Sequence, residues 1–140
     1  MMLESSMALG LAVVLALLML KASMLGLSSN QWTIMQTLSD AYMTRETALS
    51  NRIPLEDVLT VNSPWPDPAT DNPPRVNLAV ALGKLPGGIP VQGNLVRYRT
   101  NETTAADAVT ATKIYRLYSV LTYKVGEKEY YKSRSTVRTQ

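Results

Sequence analysis

From Met7 to Leu20 the chain carries no charged residue, and the apolar run continues to Leu27 with only Lys21 inside it. That run is about 21 residues long, close to the ~20 that a helix needs to cross a hydrocarbon layer about 30 Å thick. The pattern then changes without stopping. Trp32, Met35, Leu38, Tyr42, Arg45 and Leu49 recur at intervals of 3, 3, 4, 3 and 4. This spacing places an apolar stripe on one helical face, with Arg45 as its exception. Ile34, Ala41 and Ala48 widen the stripe, while Gln36, Asp40, Thr44 and Thr47 lie elsewhere. Trp32, Met35, Leu38, Tyr42 and Leu49 are therefore the residues expected to pack on a folded domain. Pro54 restricts Ile53 and ends the helix near Arg52. Ser28, Ser29 and Asn30 could interrupt it, but no proline enforces a break. A helix running from about Leu3 to Arg52 would measure ~75 Å. Its first half needs lipid or other helices on every side, and its second half needs one packed domain.

Beyond Pro54 the helical period ends. Residues 54–75 hold six of the eight prolines, which predicts an ordered loop or extended crossing rather than a helix. Trp65, between Pro64 and Pro66, is placed to pin that loop onto the domain. Asp67, Asp71 and Asn72 have the oxygens for a calcium ion but not the spacing of a calcium loop, so a plain turn is favoured. Val76, Leu78, Val80 and Leu82 alternate and predict a strand. Gly83 to Pro90 is a turn-rich connection. "GNLVRYRT" predicts a strand with Leu95, Arg97 and Arg99 on one face and Val96 and Tyr98 on the other. "NETTAADAVTATK" predicts a loop or short helix, and its Asn101-Glu102-Thr103 fits a glycosylation tripeptide that is common by chance. Residues 114–138 read as a hairpin around Val125-Gly126-Glu127-Lys128. Tyr115, Leu117, Leu121, Tyr123 and Val125 share one face of its first strand. On the return strand Tyr131 and Val137 lie on one face and Lys128, Tyr130, Lys132, Arg134 and Arg138 on the other. The expectation is that the apolar face packs on the helix while the basic face meets solvent or an anionic partner.

Composition narrows the chemistry. The 140 residues include no cysteine and no histidine. Disulfides, thiolate metal sites and Ser-His or Cys-His nucleophile pairs are thereby excluded. No Ser-Lys or paired-carboxylate motif is present, so the reading is not an enzyme and requires no cofactor or metal. Charge is uneven: residues 1–75 hold four basic and seven acidic side chains, residues 76–140 ten basic and four acidic. A net charge of about +6 in the second half could attract an anionic partner, nucleic acid included, through Lys132, Arg134 and Arg138. A solvated sheet face with edge-protecting cations is the commoner explanation.

The N-terminus is unlike a secretory signal. "MMLESS" has no basic residue, the apolar run is too long, and "KASMLGLSS" is a weak cleavage site. Charge bias would put Lys21, Arg45 and Arg52 on the cytoplasmic side, yet the remainder reads as an exported domain. A basic leader once preceding Met1 would resolve the conflict. Gly10 with Ala12, Ala16 and Ala22 gives a small-residue texture suited to close helix contacts in an apolar setting, and scattered small residues on a lipid-facing anchor account for it equally well.

Four features in order resemble the type IV pilin-like superfamily, which comprises major and minor pilins and the pseudopilins of type II secretion. An acid near the N-terminus (Glu4) is followed by an apolar segment (Met7 to Leu27). The helix continues amphipathically (Trp32 to Arg52), and an antiparallel β domain ending in a hairpin closes the chain. The resemblance implies a prepilin whose leader is removed by a membrane peptidase and whose new N-terminal residue, Met1, is methylated. It implies that Glu4, one position earlier than the family's usual Glu, pairs with the terminal amine of a neighbouring subunit. Carrying a carboxylate into an apolar bundle costs several kcal/mol unless it is paired. The chain departs from the family in starting Met-Met-Leu-Glu, in lacking the membrane-half proline, and in lacking a C-terminal cysteine pair.

The expected fold is α+β, a long N-terminal helix on a small antiparallel sheet. Residues 1–28 form the membrane or filament-core helix, 29–53 its amphipathic continuation, and 54–140 the β domain. The expected function is a structural subunit that joins copies of itself in a helical filament through Leu9, Leu11, Val13, Val14, Leu17, Leu18 and Leu20. Its location would be the bacterial cell surface, with an inner-membrane pool before pilus or secretion machinery assembles it. The alternative is a monomeric single-pass anchored domain that presents its basic hairpin to an anionic partner.

Overall fold

The computed structural model describes residues 2–85, 88–103 and 113–140, with side chains from Ser6 onward. The fold is α+β. Its elements are α1 (Met2–Arg52), a one-turn α2 (Leu55–Val58), β1 (Val76–Lys84), β2 (Pro90–Asn101), β3 (Ile114–Val125) and β4 (Lys128–Thr139). The chain divides into two compact units, Met1–Met35 and Gln36–Gln140. The first is helix alone. The second combines the end of α1 with the sheet.

The predicted end of α1 at Arg52 is where it stops. The expectation of no helix in residues 54–75 is corrected at Leu55–Val58. Pro54 and Pro64 bound a proline-free stretch, and Glu56 and Asp57 sit in its first turn, where acids suit the exposed N–H groups. The "NETTAADAVTATK" expectation falls mainly on 104–112, outside the described residues.

The four strands lie in sequence order, each antiparallel to the next. A bulge between Ala81 and Gly83 shifts the β1–β2 register. There α1 comes close: a Cβ on Gly83 would stand 2.9 Å from Leu38 Cδ1. The hairpin turns at Gly126, whose φ of +62° suits a residue without a Cβ.

Side-chain alternation of period two decides the sheet faces. Leu95, Leu117, Leu121 and Tyr123 are buried on the inner face, as the β2 and β3 patterns predict, and Leu82 and Val91 are buried with them. A second cluster joins Val58, Trp65 and Leu117, with Ile53 and Leu55 against it. Trp65 is fully buried and does pin the proline-rich loop.

Candidate functional site

Two regions carry the expected site residues. The first is the apolar stretch of α1. An 18-residue window of this helix reaches a mean hydropathy of 2.3, and none of it is buried. It is long and apolar enough to cross a membrane. Leu9, Leu11, Val13, Val14, Leu17, Leu18 and Leu20 are all between 53% and 70% exposed. A stretch apolar on every side has no solvated face, so water is the wrong medium for it. Glu4 lies within α1, but its side chain, like all of Met1, lies outside the described residues.

The second region is the inner face of α1 within the Gln36–Gln140 unit. The expected stripe needs correcting. Met35 is buried and Leu38 and Tyr42 are half-buried, but Trp32 and Leu49 are exposed. The buried line within this unit is Ser39, Met43, Glu46 and Ser50. From Leu38 onward it falls one residue later than the apolar spacing predicts. The physical reason is that the sheet meets the helix with polar groups, so polar helix positions are the buried ones.

Those polar groups come largely from β4, whose expected orientation is inverted. Lys132, Arg134 and Arg138, expected to face a partner, face α1 instead. The Lys132 ammonium donates to Asp40 Oδ1 at 2.8 Å, Ser39 Oγ at 3.1 Å and Gln36 Oε1 at 3.2 Å. All three of its protons are thereby used. Arg134 reaches the same Asp40 oxygen at 3.6 Å while staying largely exposed. Thr136 and Ser50 share a hydrogen bond of 2.9 Å. Arg138 Nη1 donates to the carbonyls of Ser50, Asn51 and Ile53 at 2.6, 3.2 and 3.1 Å. Carbonyls at a helix end have no intrahelical partner, and a cation there also suits the helix dipole. Tyr131 and Val137, expected to pack inward, are 69% and 49% exposed.

Two arginines of β2 complete the seam. Arg97 holds Glu46 with two parallel bonds of 2.7 Å, and both side chains are nearly buried. The Arg97 guanidinium also lies 5.0 Å from the Trp65 ring centroid. Arg99 Nη1 donates to the carbonyls of Val58 and Trp65 at 2.7 Å each, and Nη2 pairs with Asp71 Oδ2 at 3.0 Å. Buried cations need such partners, since desolvation otherwise exceeds any gain. The sequence held this signal: Arg97 and Arg99 share a face with Leu95, so each had to find an acid.

Asp67 and Asp71 form a turn, as expected: Asp71 Oδ2 accepts from the Asp67 N–H at 2.8 Å and Asp67 Oδ1 from the Ala69 N–H at 2.9 Å. The Asp67 N–H, aided by Arg99, holds the Asp71 carboxyl below its ordinary value. A depressed carboxyl adds stability that is present above its unfolded pKa and lost as pH falls through the folded one. Asp71→Asn is therefore expected to be less stable than the parent at neutral pH, with the gap closing as pH drops below the usual carboxylate range. Thermal midpoints of both proteins across that range check this. A gap independent of pH would show that the Asp71 charge contributes nothing.

On the outer sheet face Tyr98 and Tyr118 stack with centroids 4.9 Å apart, and Arg75 lies over Tyr98. No family model, curated protein or solved structure matches this chain.

Proposed function

We propose that this chain is the structural subunit of a type IV pilus-like filament. The supporting observation is the pairing of two unlike helical stretches in α1. One is apolar and exposed on all sides; the other is fastened to an antiparallel sheet by buried polar groups. Lipid covers the first stretch in the membrane before assembly, and copies of the same stretch cover it in the filament. Leu9, Leu11, Val13, Val14, Leu17, Leu18 and Leu20 form that contact; lipid already keeps them from water, so the gain comes from close packing between helices rather than from further burial. The β domains coat the outside at the bacterial surface, and assembly machinery in the inner membrane draws on the membrane pool.

Apolar contacts slide past one another easily, so axial register needs a directional element. In this reading Glu4 supplies it by pairing with the terminal amine of a neighbouring copy. Glu4→Ala is expected to abolish filaments, or reduce them at least about tenfold, while the protein stays in the membrane fraction. Electron microscopy of sheared filaments, with immunoblots of membranes, checks this. Normal filaments from Glu4→Ala would sink the pairing role. Absence of filaments from the parent chain under every growth condition would sink the reading as a whole.

A further inference from the structure

Several charged side chains have no ion pair among the described residues, and two groups of them are complementary. Arg45 and Arg52 are seven residues apart on α1, so they lie on one face about 10 Å apart. Both are exposed, and neither has a hydrogen bond or ion pair among the described residues. They line a cleft of about 270 Å³ together with Tyr42, Leu49 and the Glu46–Arg97 pair. Arg97 already neutralises Glu46 in that cleft. The two free guanidinium groups thus give it a net positive charge, set against the apolar wall of Leu49 and the Tyr42 ring. Guanidinium forks suit carboxylates, which they can hold with paired bonds.

The acids that could answer them are few. Among the described residues Asp40, Glu46, Asp67, Asp71, Glu102 and Glu129 all have partners. Glu56, Asp57 and Glu127 do not. Glu127 adjoins Lys128 at the hairpin tip, so that tip is not net negative. Glu56 and Asp57 form an exposed acidic doublet in α2, whose neighbour Val58 is fully buried and fixes its position. No ion pair within 4.0 Å joins the doublet to Arg45 or Arg52 of its own chain.

We infer that the Arg45–Arg52 cleft receives the Glu56–Asp57 doublet of a second copy of this chain. The inference deepens the filament reading and rests on it. The contact is head-to-tail in kind: one surface of a copy meets a different surface of the next. Contacts of that kind propagate into rings or helical filaments rather than closing as two-fold pairs. It also supplies a lateral register outside the apolar helices, where water screens charge and only paired, well-placed groups contribute.

The natural absence of cysteine makes the test clean. Cells would co-express two single variants, Arg45→Cys and Asp57→Cys, distinguished by epitope tags. Mild oxidation is expected to link the two tags in one dimer, whereas either variant alone forms none. A second experiment reverses charge: Arg45→Glu with Arg52→Glu is expected to lower filament yield at least about tenfold, and adding Glu56→Lys with Asp57→Lys restores most of it. Filaments that form normally yet give no mixed dimer would overturn the inference and leave the filament reading intact. So would charge reversal without effect on yield. A mixed dimer in membranes that never yield filaments would keep the contact and remove the filament reading.

Discussion

Glu46→Ala is expected to destabilise the Gln36–Gln140 unit by about 3–5 kcal/mol, a large share of the ~5–15 kcal/mol that holds a domain folded. Glu46 is 2% exposed, and its carboxylate is the acceptor for both 2.7 Å bonds from Arg97. Without it the Arg97 guanidinium stays nearly buried, and the Trp65 ring at 5.0 Å does not replace the lost acceptor. A ring face recovers only part of the hydration a cation has lost. The double variant Glu46→Leu with Arg97→Met should recover most of the loss. It removes both charges and refills their volume, and such exchanges are often neutral. Urea unfolding of the full chain in detergent micelles, followed by tryptophan fluorescence, measures both variants. A loss below about 1 kcal/mol for Glu46→Ala would mean the pair behaves as a solvated surface bridge.

Trp65→Ala is expected to cost a similar ~3–5 kcal/mol by a different route. The indole is fully buried against Val58 and Leu117, and its removal leaves a cavity that the proline-rich loop is too stiff to fill. Two further losses follow. The indole N–H donates to Ser119 Oγ at 3.3 Å, and the ring carries the Arg97 contact. Trp65→Phe separates these effects. It keeps most of the apolar volume but removes the donor to Ser119, so it should cost about 1–3 kcal/mol. The same unfolding assay, read by tyrosine fluorescence or circular dichroism, gives the order. Equal losses for the two variants would show that the hydrogen bond, not the cavity, dominates.

The two halves of α1, its end at Arg52, the four strands and the hairpin turn were legible because each follows a strong period or a proline or glycine signal. The inner faces of β2 and β3 were legible for the same reason: apolar side chains alternate along them. The seam was not. Reading apolar as buried placed Leu49 and Trp32 inward and sent Lys132 and Arg138 outward. The structure does the reverse, because Ser39, Glu46 and Ser50 are matched by partners from distant strands. Burial of a polar side chain depends on whether its partner arrives, and that partner lies 51 to 93 residues away. No local window contains it. Arg97 and Arg99 were the accessible clue, since their alternation with Leu95 already put them inside. Which acid would meet each cation required the topology. The assembly residues differ again: the apolar stretch declares itself in sequence, while the role of Glu4 rests on the family resemblance.

The β4 groups that fasten α1 lie 85 to 96 residues after the positions they meet. Lys132, Thr136 and Arg138 reach back to residues 36–53. On the ribosome, therefore, the helix is complete long before its clasp exists. Contacts this far apart in sequence close late and slowly. Throughout translation Ser39, Glu46 and Ser50 face water, which suits them, whereas an apolar stripe at those positions would invite premature aggregation. A polar seam thus lets this half of α1 wait in water for its fourth strand.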